Sequence, residues 1–167
     1  RAFLEVSIPR EADIVIVDGS PYDIEFWQVN KALDTAGLVV RQGGVVICVS
    51  PCYEGLSRTH EDILLEYGYR TKKAIRELVE SGAIHHKVVG VHMMQVSAVA
   101  VEKAAVIMVT DGIPQEHLRK VGLGHAHTAQ EALEKAFAKV GGQASVAVLR
   151  GAAEMLLVIE KARLEKT

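Results

Sequence analysis

The sequence predicts an α/β fold: a three-layer sandwich whose mostly parallel sheet carries helices on both faces. Three observations predict it. Short continuous apolar runs alternate with helical patterns along the whole chain, the layout of strands linked by crossover helices. Hydrophobic residues make up 49% of the chain and aromatics only 5%, so Val, Ile, Leu and Ala must fill the core, as in parallel sheets buried on both sides. The length of 167 residues suits one domain.

In order, Ala12 to Asp18 reads as a first strand and Tyr22 to Val40 as a helix, which the Gly43-Gly44 doublet stops. Val45 to Ser50 is a second, buried strand. Pro51 to His60 is a loop, Glu61 to Tyr67 a short helix and Thr71 to Ser81 a charged helix ending at Gly82. Val88 to Val91 reads as a short strand, Val96 to Lys103 as a short helix and Ala105 to Thr110 as the fourth strand. Pro114 suits a first helical position and opens a helix to Lys120. Thr128 and Glu131 have capping-box spacing and open a helix stopped by Gly141-Gly142. Ser145 to Leu149 is the last strand, and Ala152 to Lys166 reads as a tail helix. Val15, Ile47, Ile107 and Val146 are expected in adjacent core strands, with right-handed crossovers between them.

Composition excludes several partners. The net charge is −2, and Lys and Arg never cluster beyond a pair, so neither nucleic acid nor an anionic membrane is expected as the main partner. No apolar run approaches the ~20 residues of a membrane span. No signal peptide is visible, and the chain begins at Arg1, which reads as the edge of an excised domain or a processed chain. Cys48 and Cys52 are the only cysteines, and their spacing suggests neither a disulfide nor a metal site. The expected location is the reducing cytoplasm.

The motif search is mostly negative. Gly43-Gly44 and Gly141-Gly142 each precede a strand, whereas a dinucleotide fingerprint needs glycines after a strand and before a helix. The fold is therefore read as Rossmann-like without that fingerprint. P-loop and G-x-S-x-G patterns are absent. His125-Ala-His127 has chelating spacing and His85-His86 are adjacent, but no Cys or carboxylate stands near at ligand spacing, so they read as polar loop histidines.

The informative segment is the turn and helix after the first strand, because α/β proteins handle ligands at the carboxyl ends of their strands. Phe26, Val29, Leu33, Ala36 and Val40 form one stripe at helical spacing. Trp27, the only tryptophan, then points away from the sheet together with Gln28 and Lys31. Two readings stand. Trp27 and Lys31 pack on each other at a wet surface, or Trp27 meets a ligand, domain or subunit, since large aromatics seldom stay wholly exposed. His92, after the predicted strand Val88 to Val91, falls on the same sheet edge; a helix-start histidine satisfied by backbone is its other reading. Glu54 and Asp111 lie in loops on that edge as further carboxylates.

These residues carry a resemblance. Ala12-Asp13-Ile14-Val15-Ile16, Gly19-x-Pro21-x-Asp23 and Trp27-Gln28-x-x-Lys31-Ala32-Leu33 resemble the carboxyl-terminal domain of the nickel-dependent lactate racemase family. Gly43-Gly44-Val45-Val46-Ile47, Cys52-x-Glu54-Gly55, Val109-Thr110-Asp111-Gly112 and the Thr128-to-Gly142 helix are similar to it too, in order, over nearly the whole chain.

The resemblance implies that residues 1–167 are the carboxyl-terminal domain of a longer two-domain protein, with the active site between the domains. It implies a nickel-pincer nucleotide cofactor held by the amino-terminal domain, with none bound by this chain alone and no metal ligands or catalytic residues in it. It implies substrate-binding roles for Trp27, Gln28 and Lys31, with His92 as a weaker fourth member. Lys31 supplies charge to the carboxylate of a 2-hydroxy acid, Gln28 bonds its carboxylate or hydroxyl, and Trp27 walls the pocket. Where the family motif usually has Tyr, this chain has Trp27, which removes a phenol and adds bulk; another 2-hydroxy acid or a sugar acid then stands beside lactate as substrate. The implied activity is racemisation or epimerisation, an isomerase to which the isolated chain contributes no turnover. The partners implied are its own amino-terminal domain and the small acid. Two rivals remain: a non-catalytic α/β binding module that takes a small acid or a partner domain through the Trp27 face, and a small independent enzyme using His92 with Glu54 or Asp111.

Overall fold

A computed structural model describes residues 4–160. Seven strands are present among them: β1 (Leu4–Ile8), β2 (Ala12–Asp18), β3 (Val40–Val49), β4 (Ala105–Val109), β5 (Gly124–Ala126), β6 (Val146–Leu149) and β7 (Met155–Ile159). The helices are α1 (Phe26–Val39), α2 (Glu61–Tyr67), α3 (Lys72–Glu80), α4 (Lys87–Ala100), α5 (Gln115–Val121) and α6 (Ala129–Val140).

Five strands form one all-parallel sheet in the order β5-β4-β3-β2-β6. From β2 to β5 the chain steps in one direction, whereas the link from β5 to β6 crosses back over the sheet. Right-handed crossovers then put α6 on the opposite face from the helices of the forward steps. The core divides accordingly. One layer contains Val15, Val17, Val46, Cys48 and Met108 with residues of α1 and α4; the other contains Ile14, Val45 and Ile47 with Ala132 and Ala136 of α6. The expected three-layer α/β sandwich is the observed fold. The four marker residues lie in adjacent strands: Ile16 is opposite Ile47, Ile47 opposite Ile107, and Ile14 opposite Val146. Val146 is not a core residue, because β6 is an edge strand and leaves it 42% exposed.

Several boundaries differ from the sequence expectation. The helix expected from Tyr22 begins at Phe26, because the carbonyls of Asp23 and Ile24 accept backbone hydrogen bonds from Cys52 and Glu54, which holds these residues in a turn, and Glu25 is extended. Gly43-Gly44 does not stop α1. Val40 is already extended (φ −76°, ψ 136°), and the doublet lies inside β3 where the β2–β3 register shifts. Gly43 has φ +75°, and a Cβ on Gly44 would lie 2.6 Å from the carbonyl oxygen of Asp13, so both positions of this bulge favour glycine. Gly141 does end α6, and Thr128 does cap it, accepting from Glu131 N at 3.1 Å. Pro114 is the residue before the first helical position of α5.

The largest correction concerns residues 87–103. The expected strand Val88–Val91 and helix Val96–Lys103 are one helix, α4. Val89, His92, Met93, Val96 and Val99 are buried at helical spacing, while Val88 and Val91 are 60% and 51% exposed. Packing against α1 and α3 overrides the β-branched run. Gly90 allows the close approach to α3, since a Cβ there would overlap Val79.

Outside the main sheet, β1 and β7 form a separate parallel pair, Leu4 opposite Met155 through Ile8 opposite Ile159. The expected tail helix is therefore replaced, within the described residues, by a 3-10 turn at Ala152–Glu154 and strand β7; its remainder, 161–167, lies outside the described residues. None of the described helices is long and apolar enough to cross a membrane.

Candidate functional site

The start of α1 is fixed by the loop after β3. Phe26 N and Trp27 N donate to the carbonyls of Gly55 and Leu56 at 3.0 and 2.9 Å, satisfying two of the amides that a helix start leaves open. The predicted stripe Phe26, Val29, Leu33, Ala36 and Val40 is wholly buried. Trp27 and Gln28 are thereby left half-buried and Lys31 exposed, at the carboxyl edge of the sheet.

Lys31 Nζ donates to Gln28 Oε1 at 2.8 Å and lies 3.9 Å from the centre of the Tyr22 ring, a cation–π contact. The ammonium therefore rests against Tyr22, whereas Trp27 packs elsewhere. Its indole is stacked on His92, with centroids 4.0 Å apart and planes 15° from parallel. A second imidazole, His60, lies 5.1 Å away at 44°. The run of rings continues outward to His86, 5.9 Å from His60.

His92 is in the second turn of α4 rather than after a strand. It reaches Trp27 because α4 packs beside α1. It is only 4% exposed, and its Nε2 is 3.3 Å from the hydroxyl of Tyr69. Burial pushes its pKa down to about 4, with His60 acting in the same direction, so the ring is neutral at pH 7. Burial also raises the Tyr69 phenol above its ordinary range. Phe26 borders both rings, 6.1 Å from Tyr69 and 6.5 Å from His92.

The structure thus joins Lys31 to Gln28 and Trp27 to His92, as two separate contacts at the start of α1. It does not join His92 to Glu54 or Asp111. The polar contact of His92 is Tyr69, Glu54 pairs with Arg58 at 3.7 Å, and Asp111 is exposed. Sequence reading missed Tyr22, His60 and Tyr69. Tyr22 stands in the same turn as the motif and was open to detection; Tyr69 and His60 reach the site only through tertiary packing. A cleft of about 510 Å³ on the same edge is lined by Glu54, Ser57, Arg58, Thr59, Glu61 and Asp62, beside His60 but not beneath Trp27 or Lys31.

Among the described residues no three His, Cys, Asp or Glu side chains converge as a metal centre. His125 Nε2 is 3.1 Å from the Thr110 carbonyl. Cys48 and Cys52 are free and buried, and burial raises both thiols, Cys52 to about 11, which disfavours the thiolate that metals and nucleophilic chemistry need. The outward face of α1 thus presents a cation, an amide and an aromatic ring, Lys31, Gln28 and Trp27.

Fold and geometry together define an open parallel α/β domain with a Lys31–Gln28 pair and a Trp27–His92 stack at the start of its first helix, on the carboxyl edge where such domains take ligands. The sequence profile of the lactate racemase C-terminal domain matches residues 8–157, and the chain belongs to that family. Among solved structures it is similar to the lactate racemase apoprotein of Thermoanaerobacterium thermosaccharolyticum, with TM-score 0.78 and 21% identity over 93% of this chain and 37% of that one. It is also similar to a protein of Thermotoga maritima, with TM-score 0.66 and 21% identity over 94% of this chain and 39% of that one. The chain therefore spans well under half the length of either. Comparison with curated proteins gives no match.

Proposed function

We propose that this chain is the substrate-contacting carboxyl-terminal domain of a nickel-pincer-dependent racemase or epimerase acting on a 2-hydroxy acid. One observation carries the reading. The residues that match the family's aromatic-Gln-x-x-Lys motif, Trp27, Gln28 and Lys31, stand on the outward face of α1 at the carboxyl edge, with the Lys31 ammonium bonded to Gln28 at 2.8 Å. Lys31 takes the carboxylate of the acid, Gln28 the carboxylate or hydroxyl, and Trp27 shields the carbon chain from water. His92 serves from behind Trp27. The pincer cofactor belongs to a preceding domain and supplies the hydride chemistry there; this domain binds and orients. Trp27 in place of the usual Tyr removes a phenolic hydroxyl and adds bulk, so another 2-hydroxy acid or a sugar acid stands beside lactate as the substrate.

The test uses the polypeptide that carries this domain with its partner domain. A charge-assisted contact contributes roughly 1.5–3 kcal/mol, about ten- to a hundredfold in kcat/KM. Lys31→Ala and Lys31→Met should both lose that much on the true substrate. An exposed lysine changes stability by only ~0.5 kcal/mol, so Tm should hold. If both variants keep wild-type efficiency, Lys31 is a solvated helix residue and the proposal fails.

A further inference from the structure

We infer that Tyr69 and His92 are positioning residues: they set the ring plane of Trp27, the wall of the acid site proposed above. The acid site is part of that reading; the control of the ring stands on geometry alone.

Three rings from three elements meet here: Trp27 from α1, Tyr69 from the link between α2 and α3, and His92 from α4. An aliphatic contact fills space but leaves an indole free to turn. A face-to-face stack at 4.0 Å and 15° specifies the plane, because turning the indole would break the overlap. The plane is then only as well defined as the imidazole beneath it. That imidazole is fixed on its polar side by the Tyr69 hydroxyl, 3.3 Å from Nε2. Both residues are buried, at 4% and 7% exposure, so each is the other's replacement for water, and removing one orphans its partner. The tilted Phe26 ring borders the pair. The low pKa of His92 agrees with a neutral ring in the stack. A wall fixed before the ligand arrives spares the ordering cost of binding.

Trp27 is the only tryptophan, so its near-UV circular dichroism and fluorescence report this one ring. The experiment compares wild type, Tyr69→Phe, His92→Leu and His92→Phe, with lactate and gluconate as probes. His92→Leu should lose most of the tryptophan band, His92→Phe should restore it through a flat ring, and Tyr69→Phe should weaken it. Acid affinity, read from Trp27 fluorescence, should fall about tenfold in His92→Leu, the equivalent of 1.4 kcal/mol, and recover in His92→Phe. A residue that merely fills the core would shift Tm without moving the band. An unchanged band in folded Tyr69→Phe and His92→Leu overturns the inference; if His92→Leu does not fold, Tyr69→Phe decides it. A band that responds as stated while neither acid perturbs wild-type Trp27 upholds the control of the ring and counts against the acid site.

Discussion

The ammonium of Lys31 donates to Gln28 Oε1 at 2.8 Å, across one turn of α1 on the face turned away from the sheet. The amide orients the ammonium without neutralising it, so the full positive charge remains available to an acid.

This makes Gln28→Glu a sharp probe. A carboxylate at position 28 would pair with Lys31 and compete with an acidic ligand. Affinity for a 2-hydroxy acid should fall at least about tenfold. Stability should change by less than about 0.5 kcal/mol, since exposed ion pairs one helical turn apart contribute little. Fluorescence titration of Trp27 and a thermal melt measure both. Unchanged affinity would separate Lys31 from ligand binding.

The buried imidazole of His92 predicts an acid-sensitive fold. Its pKa is about 4 against 6.5 for an ordinary histidine. Between these values the unfolded chain binds a proton that the folded chain does not, so stability is full above about pH 6.5 and falls as pH drops toward about 4. The loss reaches roughly 3 kcal/mol. Asp34, raised by burial to about 6, acts in the opposite direction: its contribution is lost as pH rises through about 6. His92→Phe removes only the first effect. Urea midpoints of wild type and His92→Phe should converge as pH falls, and parallel pH profiles would show that His92 is not the source.

Asp13 ties the amino end of β2 to its neighbours. Ser145 donates to it from N at 2.8 Å and from Oγ at 2.6 Å, and Arg41 Nε donates at 2.5 Å. The Ser145 hydroxyl, with Arg41, holds the carboxyl well below its usual range. This stability is present above the ordinary carboxylate pKa and is lost as pH falls through the depressed value. Asp13→Asn should lower Tm at neutral pH and narrow its gap from wild type in strong acid. A pH-independent gap would mean that shape rather than charge explains the substitution.

The purified chain should bind nickel no tighter than a loose surface site, because its described histidines, cysteines and carboxylates do not converge. Calorimetric titration with nickel should therefore show no stoichiometric submicromolar complex. A one-to-one complex of that strength would place the metal here and revise the division of labour between domains.

Much of this was legible in residue patterns. The continuous apolar runs of β2 and β3, the core stripe of α1 and the Thr128 cap follow from local chemistry, because burial on both sheet faces and helical periodicity leave a direct trace in residue order. The same periodicity turned Trp27, Gln28 and Lys31 outward before any neighbour was known. The short strand β5 carries too little pattern to mark it, and Val88-Val89-Gly90-Val91 suits a strand until α1 and α3 offer α4 a face to pack against.

What surrounds the motif was decided by the tertiary structure alone. Residue order shows that Trp27 leaves the sheet, not that His92, 65 positions later, lies beneath its ring with Tyr69 behind it. Such contacts join three elements across long stretches of chain. They depend on how far α4 approaches α1, which Gly37 sets, since a Cβ there would lie 2.6 Å from the Val99 side chain. Periodicity reports which way a side chain faces, whereas only packing reports what it meets.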